Sequence, residues 1–142
     1  MFSYLKIRRI VKMLGSRIES QQELDVIEDF LERINVQYSV ADSELRNIPH
    51  SEPFVVLANH PFGFLDSLIL LSIFGKDRED FKVMANISHK EMKAISSLFI
   101  EPGENFSKGV VSQTAMDSCS AHLASGNSVA LFPSCSRIGS NK

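Results

Sequence analysis

The sequence predicts an α/β fold, a largely parallel sheet covered by helices, with an N-terminal helical segment and an incomplete C-terminal layer. Three observations carry this prediction. Short apolar runs, Phe54–Ala58, Phe81–Ala85, Leu98–Glu101 and Ser128–Phe132, alternate with stretches of helical character, the order that yields parallel strands joined by helical crossovers. The run Leu65–Phe74 is apolar almost all round, as a helix buried on most sides is. The last strand leads only into Pro133-Ser134-Cys135-Ser136-Arg137 and residues 138–142, so no covering helix is expected after it and the chain reads as C-terminally truncated.

Residues 2–14 place Ile7, Ile10, Val11 and Leu14 at i, i+3, i+4 and i+7, with Arg8, Arg9 and Lys12 opposite. Such a basic amphipathic helix suits a membrane interface and a surface helix packed on the domain equally well. A second helix starts at Ser20, whose spacing to Glu23 is that of a capping box, turns Leu24, Ile27, Leu31 and Ile34 inward, and closes at Glu32 and Arg33. Val36–Ala41 reads as a short strand with outward polar residues. Asn47-Ile48-Pro49 and Glu52-Pro53 mark a turn into the strand Phe54–Ala58. Gly75 ends the apolar helix, Ser88–Ser97 forms a short helix, and Pro102-Gly103 is a turn. Lys108–Ser125 is a helix with Val111, Ala115, Cys119 and Leu123 on one stripe and Gly126 at its C-cap.

Composition narrows the function. The 142 residues are 44% hydrophobic and 23% charged, which suits one core of modest size. The five cations Lys6, Arg8, Arg9, Lys12 and Arg17 precede the first acid, Glu19, and leave a formal −7 over residues 19–142 of a total of −2. A basic head on an acidic body excludes a general nucleic-acid binder, which needs cations over a whole face, and is compatible with docking on anionic lipid. Cys119 and Cys135 lack metal-ligand spacing and read as reduced thiols in a cytosolic protein, so neither a disulfide nor a metal site is expected. No apolar run approaches the ~20 residues that span a bilayer, so membrane contact is expected to be peripheral, on the cytoplasmic face.

Two strand ends carry the candidate chemistry. The first strand stops at Asn59-His60, and Pro61-Phe62-Gly63-Phe64-Leu65 then leads to Asp66 at the start of the apolar helix. Polar groups gathered at the carboxyl end of a strand stand where α/β sheets bind ligands. An imidazole whose second nitrogen is held by a carboxylate is a general base for an alcohol attacking an acyl carbon. His60 and Asp66 are the candidate pair, with the alternative that such polar pairs merely satisfy backbone groups at a turn. No nucleophile elbow is present: Gly126-Asn127-Ser128 lacks the second glycine and precedes a strand. Direct transfer to a bound alcohol therefore fits better than a covalent acyl-enzyme. At the other strand end, Arg137 in Phe132-Pro133-Ser134-Cys135-Ser136-Arg137 is either an anion-binding fork or a solvated loop residue.

These motifs resemble those of the glycerolipid and lysophospholipid acyltransferase family. Asn59, His60 and Asp66 match its first motif, and Ile48-Pro49 with Pro53–Ala58 matches the approach strand. The five residues between His60 and Asp66, with Pro61 and Gly63 in step, resemble the Asn-His-Pro-x-Gly-x-x-Asp subgroup of lyso-ornithine-lipid acyltransferases and hemolysin-like proteins. Phe132, Pro133 and Arg137 match the later Phe-Pro-Glu-Gly-Thr-Arg motif, while Ser134 and Cys135 replace its Glu and Gly, and the family's middle Arg is missing near Leu98–Pro102.

With the N-terminal amphipathic helices read from their spacing as residues 1–40, the resemblance implies that residues 41–142 are the N-terminal part of an acyltransferase domain. It implies His60 as base on the acceptor hydroxyl, Asp66 as its orienting partner, and an acceptor site at Asn59, Pro61, Phe62, Gly63, Pro133, Ser134, Cys135 and Arg137. The implied donor is an acyl thioester of coenzyme A or acyl carrier protein, with no resident cofactor expected; the implied acceptor is a lysolipid in phospholipid or related membrane-lipid synthesis. Residues 2–14 would meet the membrane surface. The alternatives are a catalytically impaired or truncated lipid-binding relative and a small thioesterase that activates water with His60.

Overall fold

The computed structural model describes residues 23–86, 93–104 and 110–133. In chain order these form α1 (Glu23–Arg33), α2 (Asp42–Leu45), β1 (Val55–Leu57), α3 (Phe64–Phe74), β2 (Lys82–Met84), a 3₁₀ helix (Lys93–Leu98), β3 (Phe99–Ile100), α4 (Gln113–Ala124) and β4 (Val129–Leu131). The predicted 2–14 helix, the Ser20 capping box and Ser134 onward lie outside the described residues. Among the described residues no helix is long and apolar enough to cross a membrane.

The strands form one all-parallel sheet in the order β1-β4-β2-β3, the predicted α/β class. The last strand in sequence thus enters between the first and the second. Its register sets Val55 against Val129 and Leu57 against Leu131 on one side, and Lys82 against Val129 on the other. Side-chain alternation sends successive residues to opposite faces. On one face Val83, Ala85, Phe99, Ala130 and Phe132 pack with Ile27, Phe30 and Leu31 of α1 and Leu68 and Leu71 of α3. On the other, Met84, Ile100 and Val129 pack with Ala115 and Cys119 of α4. Val55 and Leu57 project from β1 on the α4 side and are exposed.

The buried character expected of α3 is observed, including two polar residues, Ser67 and Ser72, that are buried with Leu68 and Leu71. Ser72 shares a hydrogen bond with the Tyr38 hydroxyl (2.6 Å), whereas Ser67 Oγ has no partner among the described residues. Gly75 follows α3 for reasons of space: a Cβ there would lie 2.6 Å from the Leu71 carbonyl and 2.7 Å from Leu24 Cδ2, where α1 crosses.

Two local expectations are corrected. Val36–Ala41 is not a strand. Asn35 adopts φ +55°, its N–H bonds to Glu32 O (2.9 Å) and the Val36 N–H bonds to Leu31 O (2.9 Å), a helix-terminating pattern that uses the donor a ladder would need. The chain then turns into α2. The predicted Lys108 helix is first seen at Gln113, because Ser112 is extended, donates its N–H to Pro102 O (2.7 Å) and caps Ala115 N–H with its hydroxyl (3.2 Å). The stripe Val111, Ala115, Cys119 and Leu123 faces the core as expected.

A buried polar knot holds the amino ends of three strands. Arg78, 4% exposed, donates Nε and Nη2 to the two Asp80 carboxylate oxygens (2.8 and 2.9 Å) and Nη1 to the Pro49 and Glu52 carbonyls (2.8 and 2.7 Å). Its guanidinium lies 5.1 Å from the centre of the Phe54 ring. Asp80 Oδ2 also accepts the Ser128 N–H (2.8 Å), and Ser128 Oγ accepts the Phe54 N–H (3.2 Å). Burial alone would raise the Asp80 carboxyl, but bonds from Arg78 and the Ser128 N–H outweigh it and hold the carboxyl below its ordinary range.

Replacing Arg78 with Met leaves Asp80 and two carbonyls without their cation. The expected loss of unfolding free energy is at the low end of about 3–5 kcal/mol, because Asp80 is partly exposed. A carboxyl lowered by folding contributes stability above its unfolded pKa and loses it as pH falls through the folded one. Chemical denaturation should therefore show the gap between native protein and R78M narrowing below pH 3.8. Ser67→Ala removes an unpartnered buried hydroxyl and should raise the unfolding free energy, read from the same denaturation curves, by about 1 kcal/mol.

Candidate active site

The pairing of β1 with β4 determines which residues meet at the carboxyl end of the sheet. The Ala58 N–H still donates to the Leu131 carbonyl (3.2 Å), so the ladder runs one residue past β1 before Asn59 and His60 leave it. On the neighbouring strand Phe132 follows immediately. The His60 ring lies against buried Phe132, with centroids 4.3 Å apart and planes inclined at 39°. The His60 turn thereby meets the end of β4, far away in sequence.

The turn between β1 and α3 folds the carboxylate back toward the ring. The Gly63 N–H bonds to the His60 carbonyl (3.4 Å), and Gly63, the residue before α3, has φ +70°. A Cβ there would meet nothing within 4 Å, so the demand for glycine is purely conformational. The Gly63 carbonyl accepts the Asp66 N–H (3.1 Å). Asp66 thus sits in the first turn of α3, where a helix favours an anion.

Asp66 Oδ2 accepts the Phe62 N–H at 2.8 Å and faces His60 Nδ1 at 3.7 Å. A five-residue spacing therefore brings carboxylate and imidazole together, less than about 1 Å short of a hydrogen bond. Catalytic hydrogen bonds are often long before substrate binds. Nδ1 is buried without a hydrogen-bond partner among the described residues, although the side chain is 21% exposed. The ring's exposure lies elsewhere, which leaves Nε2 as the nitrogen a substrate can reach. A proton on Nδ1, the side that faces the carboxylate, would leave the free lone pair on Nε2.

Burial pushes His60 below its ordinary value of 6.5, and the Asp66 charge opposes this more weakly. Burial thus favours the neutral imidazole, the form that can accept a proton. Asn59, Pro61 and Phe62 are exposed around it, and Pro133 is exposed one residue beyond Phe132. Ser134, Cys135 and Arg137 lie outside the described residues. Sequence reading assigned Phe132 to a motif without foreseeing that its ring supports His60. It also passed over Arg78, which sits in the run Asp77-Arg78-Glu79-Asp80 and looks there like an ordinary charged surface turn.

A model of the acyltransferase family matches residues 39–142. Neither a curated protein nor a solved structure gives a significant match. The family match spans most of the chain and contains the His60 turn, the sheet and the end of β4. The chain belongs to the acyltransferase family, enzymes of acyl transfer in lipid synthesis.

Proposed function

We propose that this protein transfers a fatty acyl group from an acyl thioester, on coenzyme A or acyl carrier protein, to the hydroxyl of a lysolipid in membrane-lipid synthesis. The carrying observation is the facing of Asp66 Oδ2 and His60 Nδ1 at 3.7 Å, with Nδ1 buried. His60 Nε2 takes the acceptor's hydroxyl proton as its oxygen attacks the thioester carbonyl. The C–S bond breaks, an ester forms, and the imidazolium returns the proton to the leaving thiolate. Asp66 positions the ring and stabilises its cationic form. Gly126-Asn127-Ser128 lacks a nucleophile elbow's second glycine and precedes a strand, which supports direct transfer without an acyl-enzyme.

The acceptor is assigned to Asn59, Pro61, Phe62, Gly63 and Pro133 around the strand ends, and to Ser134, Cys135 and Arg137, which follow Pro133 in sequence. A guanidinium at Arg137 suits a phosphate head group. The subgroup reading rests on Pro61 and Gly63 between His60 and Asp66. Residues 41–142 form the acyltransferase domain, and the basic segment 2–14 holds the protein peripherally on the cytoplasmic face of a membrane.

Transfer from labelled acyl thioester to a panel of lysolipids should fall about 10²–10⁴-fold in His60→Ala at equal folded concentration. Retention of the native rate by that variant rejects His60 as base, and acceptor-independent release of free fatty acid identifies a thioesterase instead. Because the base acts when neutral, kcat/KM should rise with pH through a single limb whose midpoint lies below 6.5. Asp66→Asn removes the charge that raises His60. It should lower kcat at least about tenfold and move the limb to still lower pH; a limb moving upward contradicts the assigned pairing.

A further inference from the structure

We propose that Phe62 is a bilayer-inserting side chain that seats the His60 turn on the lipid surface. This rests on the reading of that turn as the site of transfer to a lipid. Phe62 is 74% exposed, and Leu57, the last residue of β1, is 66% exposed; among the described residues these are the two most exposed large apolar side chains. They flank His60 at the same end of the sheet. Val110, next in exposure, belongs to that end too, since it lies two residues before Ser112, whose N–H is bonded to Pro102 just beyond β3. Burying such side chains in water-excluding hydrocarbon is favourable, and their gathering beside a reaction centre points to a partner there.

Three further features identify that partner as the bilayer. From Pro53 to Gly75 the only Asp, Glu, Lys or Arg is Asp66, and its carboxylate is turned inward onto the Phe62 N–H and the His60 ring. The turn therefore carries no outward charge that would have to leave water on meeting lipid. The Phe62 backbone is already fixed by the 2.8 Å bond to Asp66 and by the Gly63 turn, so insertion orders little additional chain. Finally, an acceptor held in a bilayer presents its hydroxyl at the interface, so a base that serves it must lie at that depth. Phe62 and His60 share one turn, and the same carboxylate oxygen that faces the imidazole holds the inserted residue in place.

The chain contains no tryptophan, so Phe62→Trp supplies a single fluorescent reporter in the full-length protein, with circular dichroism and the melting temperature as controls for folding. On adding mixed phosphatidylcholine and phosphatidylglycerol vesicles, the indole emission of F62W should shift to shorter wavelength and be quenched by brominated acyl chains. Leu45→Trp, an exposed position on α2 leading to the loop held by Arg78, should do neither. In vesicle pelleting, Phe62→Ser should weaken partitioning about tenfold, the loss of one buried aromatic side chain. The proposal is overturned by F62W emission that does not change while the protein pellets with vesicles, or by equal shifts in L45W and F62W. A shift produced only by a monomeric short-chain lysolipid, and not by vesicles, also overturns it and leaves Phe62 with its acceptor contact alone. None of these readouts requires turnover, so an inactive protein in which the F62W reporter inserts fails the functional reading alone.

Discussion

The buried guanidinium of Arg78 is the constraint on which the site's geometry depends. Parallel strands have no hairpin to set their register, so something outside the ladder must do it. Here Arg78 fixes the loop before β1 through two carbonyls and bonds Asp80, which fixes the start of β4 through the Ser128 N–H. Ser128 in turn holds the Phe54 N–H at the start of β1. Three strands are thereby aligned at their amino ends. Since each is only three residues long, that alignment also decides what meets at the carboxyl ends.

What meets there is an imidazole and the aromatic ring that supports it. His60 leaves β1 beside Phe132 leaving β4, and the aromatic contact holds the ring while burial keeps it neutral. The Asp66 charge opposes that burial more weakly. Its carboxylate has a second task, holding the backbone of Phe62, so the turn is stiffened by the same group that directs the imidazole. A tight turn, a helix N-terminus and a strand end supply all of this within seven residues, His60 to Asp66.

The distribution of apolar surface is asymmetric. One face of the sheet is covered by α1 and α3, and the other carries α4 over β2, β3 and β4 while Val55 and Leu57 of β1 remain exposed. The carboxyl end adds Phe62 and Val110. The two most exposed large apolar side chains among the described residues, Phe62 and Leu57, stand at the carboxyl end, while Val55, the first residue of β1, is exposed at the Arg78 end.

Much of this was legible in the sequence. The alternation of apolar runs determined an α/β sheet, because period and length distinguish strands from helices locally. The Asn59-His60 stop, Gly63 and Asp66 determined a turn that carries an imidazole and a carboxylate, because a positive φ and a helix start are local demands. Val36–Ala41 misled, because a strand-like pattern forms a strand only where a partner edge is available, and the cap at Asn35 had already taken the Val36 N–H. Strand order, the contact of His60 with Phe132, the 3.7 Å approach of Asp66 and the burial of Arg78 belong to the tertiary structure alone. Each depends on residues far apart in the chain competing for the same sheet edge or the same desolvated charge, and no local pattern records the outcome of that competition.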